Sequence, residues 1–96
     1  MKLGNRIKEL RESQGLLQRQ LSAQLEIDTP MFSKIERGER RAKREQVLKI
    51  AVLLKADEQE LLALWLTDQI MEIVTDEEQA LQALQIAEKE LKTKLK

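Results

Sequence analysis

Leu3, Ile7 and Leu10 recur at spacings of four and three with polar residues between them, the pattern of one apolar helical face. It predicts a first helix from about Lys2 to Ser13, closed at Gly15, a residue suited to the left-handed position after a helix. Leu21 and Leu25 mark a short second helix, entered at about Leu17 or Gln18. Asp28 and Thr29 then offer N-cap oxygens, and Pro30 falls within the first turn of the next helix, where its missing N–H costs nothing. A third helix is expected from about Asp28 to Arg37, with Gly38 as its stop. Val47, Ile50, Ala51 and Leu54 form the stripe of a fourth, from about Lys43 to Lys55, and Asp57 caps a fifth.

From Glu58 to Thr75 the pattern changes. Leu61, Leu62, Leu64, Trp65, Leu66, Ile70, Met71, Ile73 and Val74 occupy nearly every side, which predicts a helix buried between several neighbours. A chain of 96 residues has too little protein to cover it, so a second copy is expected there. Asp76 with Gln79 suggests the cap of a last helix, in which Leu81, Leu84, Leu91 and Leu95 form a three-four seam interrupted by Glu88. That seam either packs back on the fifth helix or meets its counterpart in a dimer. The dimer reading gathers Trp65, Ile70, Ile73, Val74, Leu81, Leu84, Leu91 and Leu95 into one interface. It divides the chain into an N-terminal domain, 1–66, and a C-terminal helical dimerisation extension, 67–96. Removal of everything after Leu66 is then expected to leave the first unit intact.

Composition narrows the chemistry. Hydrophobic residues are 42% and charged residues 35%, with three Gly, one Pro and 2% aromatics, which favours an all-α fold of amphipathic helices over a sheet. The absence of cysteine and histidine removes disulfides, a thiol nucleophile, the usual zinc ligands and an imidazole base. No spacing brings two carboxylates into a recognisable pocket, so neither an enzyme, nor a cofactor, nor a small-molecule ligand is expected. The charged N-terminus and the lack of a long apolar run predict a soluble, cytoplasmic protein without membrane contact. Net charge is zero, but Met1 to Lys55 carry 13 basic and 7 acidic residues, while Ala56 to Lys96 carry 4 and 10. The basic half is suited to a polyanion.

Two short helices joined by a tight turn, the second beginning with cap residues and followed by basic residues, form a helix-turn-helix arrangement. "IKELRESQGLLQRQLSAQLEIDTPMFSKIERGER" resembles the Cro and lambda-repressor type of helix-turn-helix protein, the XRE family, and the resemblance extends over about Leu3 to Leu64. It is carried by Arg11, Gln18, Leu21, Ile27, Ser33, "IERG" at Ile35 to Gly38 and "LKIA" at Leu48 to Ala51. The resemblance implies a five-helix lambda-repressor-like DNA-binding domain that grips a pseudo-palindromic, double-stranded operator as a homodimer. Burial of Leu21, Leu25, Ile27, Phe32 and Ile35 would then turn one face of the third helix outward. Thr29, Pro30, Ser33 and Lys34 lie on that face as base readers, Lys34 foremost because it can donate to guanine O6 or N7. Arg37, Arg40, Arg41, Lys43 and Arg44 follow and are expected at phosphates, with Arg44 best placed for the minor groove.

By the same resemblance Gln18, beside Arg19, donates to a phosphate, and Arg11 pairs with Glu36 to join the first and third helices. Two departures stand out. Glu26 replaces the usual turn glycine, which puts a non-glycine residue at positive φ at a cost of roughly 1 kcal/mol. Ala42 replaces a frequent proline, which leaves the basic loop mobile until DNA orders it. Small regulators of this build look like phage-type repressors or restriction-modification control proteins. The alternative is an antitoxin that represses its own operon and covers a toxin with its acidic half.

Overall fold

The computed structural model describes residues 2–95. Six helices follow one another: α1 Lys2–Ser13, α2 Gln18–Leu25, α3 Thr29–Glu36, α4 Arg44–Leu53, α5 Glu58–Val74 and α6 Ala80–Lys94. The protein is all-α, with a lambda-repressor-like arrangement in its first five helices. α1 packs on α3 and α5, α2 on α3 and α4, and α4 on α5. Phe32, Ile7, Ile50, Leu54, Leu61 and Val47 fill the centre and are fully buried. Each such side chain contributes roughly 2 kcal/mol by leaving water. The apolar stripes expected from periodicity are the buried ones, with Leu10 and Ile27 half-buried at the edge.

The turns use backbone geometry that the sequence only partly announces. Gly15 and Gly38 adopt positive φ after α1 and α3, at 68° and 77°. Glu26 does the same after α2, with φ 59° and ψ 39°. There the Ile27 N–H reaches back to the Ser22 carbonyl at 3.1 Å, which closes the helix end and aims the chain at α3. At α3 the Asp28 carboxylate accepts from the Met31 N–H at 2.7 Å, and Pro30 sits in the first turn. Gly4 has a different purpose. A Cβ there would lie 2.2 Å from the Glu36 carbonyl oxygen and 2.8 Å from that of Ile35, so only a glycine lets α1 approach the end of α3 this closely.

α5 is only partly covered by its own chain. Only Leu61 and Asp68 are buried on it. Leu62, Leu64 and Trp65 lean half-buried on the core, while Leu66, Ile70, Met71 and Ile73 face outward, so this helix is not enclosed by its own chain. Asp68 caps α1: its two oxygens accept from the N–H groups of Lys2 at 2.9 Å and Leu3 at 3.0 Å. A boundary after Leu66 therefore falls inside a continuous helix, and a cut there would strip α1 of its cap. The last helix also begins differently. Asp76 adopts φ 74° in the corner, Gln79 makes no side-chain cap bond, and α6 buries none of its residues. The seam does not fold back along α5. Among the described residues no helix is long and apolar enough to cross a membrane.

Two substitutions test this geometry by urea denaturation. Gly4→Ala should lower stability by roughly 1–3 kcal/mol, because backbone must give way to the new methyl. Glu26→Gly should raise it by roughly 0.5 kcal/mol, the relief of left-handed strain outweighing the extra freedom of glycine in the unfolded chain. A stability gain from Gly4→Ala, or a clear loss from Glu26→Gly, would contradict the respective reading.

Candidate nucleic-acid interface

α3 turns Phe32, Ile35 and Glu36 inward and leaves the other side accessible. On that side Pro30 and Lys34 are exposed, and Thr29, Met31 and Ser33 are half-buried. The four residues expected to read bases thus share one surface with unequal freedom. The Thr29 hydroxyl lies 3.0 Å from that of Ser22 and ties α3 to α2. The Ser33 hydroxyl accepts from Arg37 Nη1 at 2.7 Å. Lys34 has no ion-pair partner among the described residues and points its ammonium to solvent.

The orientation of α3 is set from behind by a buried pair. Arg11 Nε donates to Glu36 Oε2 at 2.7 Å and Arg11 Nη2 to Oε1 at 3.1 Å, the two-pronged geometry of a guanidinium on a carboxylate. Arg11 Nη1 reaches the Leu16 carbonyl at 2.8 Å, and Gln18 Nε2 donates to Glu36 Oε1 at 2.9 Å. Hydrogen bonding to Glu36 raises the Arg11 guanidinium above its usual value, against the opposing pull of burial. The pair predicted between α1 and α3 is present. Gln18, expected at a phosphate, has its side-chain amide drawn inward as a further donor to Glu36. Arg19 beside it is exposed.

Between α3 and α4 the basic segment is held at several points. Ala42 is 3% exposed, and its carbonyl accepts from Trp65 Nε1 at 2.7 Å. The Arg44 guanidinium lies 5.2 Å from the centre of the Trp65 ring, a cation–π contact. Arg41 pairs with Glu72 near the end of α5. Arg37 Nε meets Glu39 Oε2 at 2.6 Å. Arg40 and Lys43 are exposed and without an ion-pair partner among the described residues. The loop, expected to be mobile until DNA orders it, is anchored through Ala42, and the half-buried Trp65 serves that loop within its own chain.

Glu39 and Glu72 lie outside the residues that the sequence pattern marks. A glutamate two residues after Arg37 is a local hint at the first, whereas Glu72 approaches Arg41 only through the docking of α5. Behind the loop lies a cavity of about 80 Å³ that Gly4, Arg41, Trp65, Asp68 and Glu72 help to line. Among the described residues no group of three or more acidic side chains could hold a metal ion.

Residues 2–64, about two thirds of the chain, match the family model described as a helix-turn-helix domain. The chain belongs to the helix-turn-helix domain family. No curated protein and no solved structure matches it. The match spans α1 to the first two turns of α5, so the reading of α2 and α3 as the two motif helices of a DNA-binding helix-turn-helix protein rests on both geometry and family. It stops short of Asp68 and Glu72, through which the rest of α5 grips this helix-turn-helix domain.

Loss of one partner from the Arg11–Glu36 pair would leave the other buried and unpaired. Arg11→Ala should cost roughly 3–5 kcal/mol in chemical denaturation, whereas Arg37→Ala, which breaks an exposed pair, should leave stability nearly unchanged. Equal effects of the two would show that burial does not govern this pair.

Proposed function

We propose that the protein is a sequence-specific transcriptional regulator of the XRE type that binds a pseudo-palindromic operator as a homodimer, with α3 of each copy in a major groove. The observation that carries this is the outward face of α3, where an unpaired Lys34 stands beside Pro30 and Ser33, bordered by the start of α2 and by a basic loop. Lys34 suits guanine O6 or N7, and Pro30 offers apolar contact to a thymine methyl or a sugar. Arg19, Arg40 and Lys43 are free for phosphates as the structure stands, and Arg37, Arg41 and Arg44 become available once they leave their present partners. The dyad of such an operator calls for a two-fold protein.

The exposed apolar C-terminal segments supply a surface for the second copy. α6 has 15 residues, of which none is buried, and an isolated helix of that length is marginal in water. Leu81, Leu91 and Leu95 are 76%, 60% and 86% exposed, and Ile73 on α5 is 75% exposed. Ile70 and the half-buried Val74 and Leu84 adjoin them. Burial of these side chains against their counterparts would contribute roughly 1.5–3 kcal/mol for each one fully covered, enough to order α6 on association. Trp65 drops out of this interface because of its intrachain role. Occupancy of the operator would follow protein concentration through dimerisation, as in a phage-type repressor or a restriction-modification control protein working in the cytoplasm. An antitoxin would offer the same segments to a foreign protein.

Lys34→Ala should cost roughly 1–3 kcal/mol of operator affinity and relax the preference at one base position of each half-site in selections from random DNA. Identical consensus sequences for variant and parent would remove Lys34 from the readers. A chain cut after Thr75 keeps Asp68 and Glu72 but lacks α6; it should melt cooperatively, sediment as a monomer and bind a full operator scarcely better than one half-site. Retention of a micromolar dimer with full affinity would place the two-fold contact before residue 76 and leave α6 to a foreign partner.

A further inference from the structure

Of the arginines that flank the recognition helix, two are already occupied by carboxylates in the free protein. Arg37 meets Glu39 through Nε at 2.6 Å and Nη2 at 3.4 Å, two prongs on two oxygens, as it would meet a phosphate. Arg41 meets Glu72 across the gap between loop and α5. Arg37 pulls Glu39 below the usual carboxylate range by hydrogen bond and charge, and Lys34 adds to this, so Glu39 keeps its negative charge well into mild acid. Glu72 cannot follow Arg41 onto DNA. It lies one turn beyond Asp68 on a helix whose Trp65 and Asp68 are fixed to the Ala42 carbonyl and to the start of α1.

We propose that Glu39 and Glu72 act as internal stand-ins for DNA phosphates, which hold Arg37 and Arg41 away from DNA that offers nothing but backbone. The proposal rests on the DNA-binding reading and names a specificity device within it. Non-specific binding is almost wholly electrostatic, and each phosphate neutralised adds about 0.9 to the slope of log affinity against log salt. An arginine that must first leave a carboxylate contributes less to that term. Base contacts made by α3 on the right sequence can bring the arginines close enough to phosphates for exchange, whereas a random sequence supplies no such help. The two carboxylates thereby widen the gap between operator and bulk DNA. Both pairs are exposed, with side chains 46–55% accessible, so their loss should leave the fold intact.

The test uses the full chain, a random-sequence duplex and fluorescence anisotropy over a salt series. Glu72→Gln and Glu39→Gln should each raise affinity about three- to tenfold at low salt and steepen the salt slope by about one. Glu90→Gln, an equal change of charge on exposed α6, should alter affinity less than about twofold, since bulk charge beyond a screening length counts for little. In the Glu72→Gln background, Arg41→Ala should abolish the gain. If Glu72→Gln behaves like Glu90→Gln, or the gain survives without Arg41, the proposal is wrong while DNA binding stands. If parent and variants alike fail to bind DNA at any salt, both the proposal and the reading beneath it fall.

Discussion

The bond between Arg11 and Glu36 decides what the surface of this protein can do. It is a charged pair under α3, nearly closed to water, and it joins α1 to the end of α3 while Gln18 adds the start of α2. Three helices meet at one carboxylate. An isolated charge in that position would be costly, so the geometry that satisfies it, with α1 pressed on α3 at Gly4, is favoured over rotations that would separate the groups. The pair fixes an angle more than it adds stability. Once α3 is held from behind by Glu36, Ile35 and Phe32, the residues that remain outward are Pro30, Ser33 and Lys34.

α5 carries a second division of labour. Trp65, Asp68 and Glu72 lie along one stripe of the helix and engage, in turn, the loop carbonyl of Ala42, the first N–H groups of α1 and the guanidinium of Arg41. Leu66, Ile70 and Ile73 occupy an adjoining stripe and touch solvent. The same rigid element thus braces the basic loop and leaves an apolar stripe open to solvent.

The legible parts of this fold were those governed by local rules. Leu3 with Ile7, and Val47 with Ile50 and Leu54, announced their helices by spacing, and Asp28, Pro30 and Gly38 marked the ends of α3 within one or two residues. Glu26 was read as a strained turn residue from the departure it makes in a familiar motif, and φ 59° agrees. Contacts between distant segments were illegible. Nothing in the sequence around Asp68 tells that its carboxylate caps α1, and an apolar count at Trp65 cannot reveal an indole N–H aimed at Ala42. The all-round apolar pattern of α5 exceeds what its own chain can cover, but the pattern alone does not tell which sides stay open. Of the candidate site, the outward face of α3 was visible in the residue pattern, while the internal partners of Arg37, Arg41 and Gln18 emerged only from the packing.

On the proposed function, DNA meets the outward face of α3 and the basic loop that follows it. The most direct measurement is a titration of isotope-labelled protein with a duplex selected from random DNA, followed by the backbone amide shifts of each residue. The largest changes should fall on Arg19, Ser33, Lys34 and the segment from Arg40 to Arg44, with the buried core of α4 little affected. Changes confined to the end of α5 and to α6, with α3 silent, would contradict it.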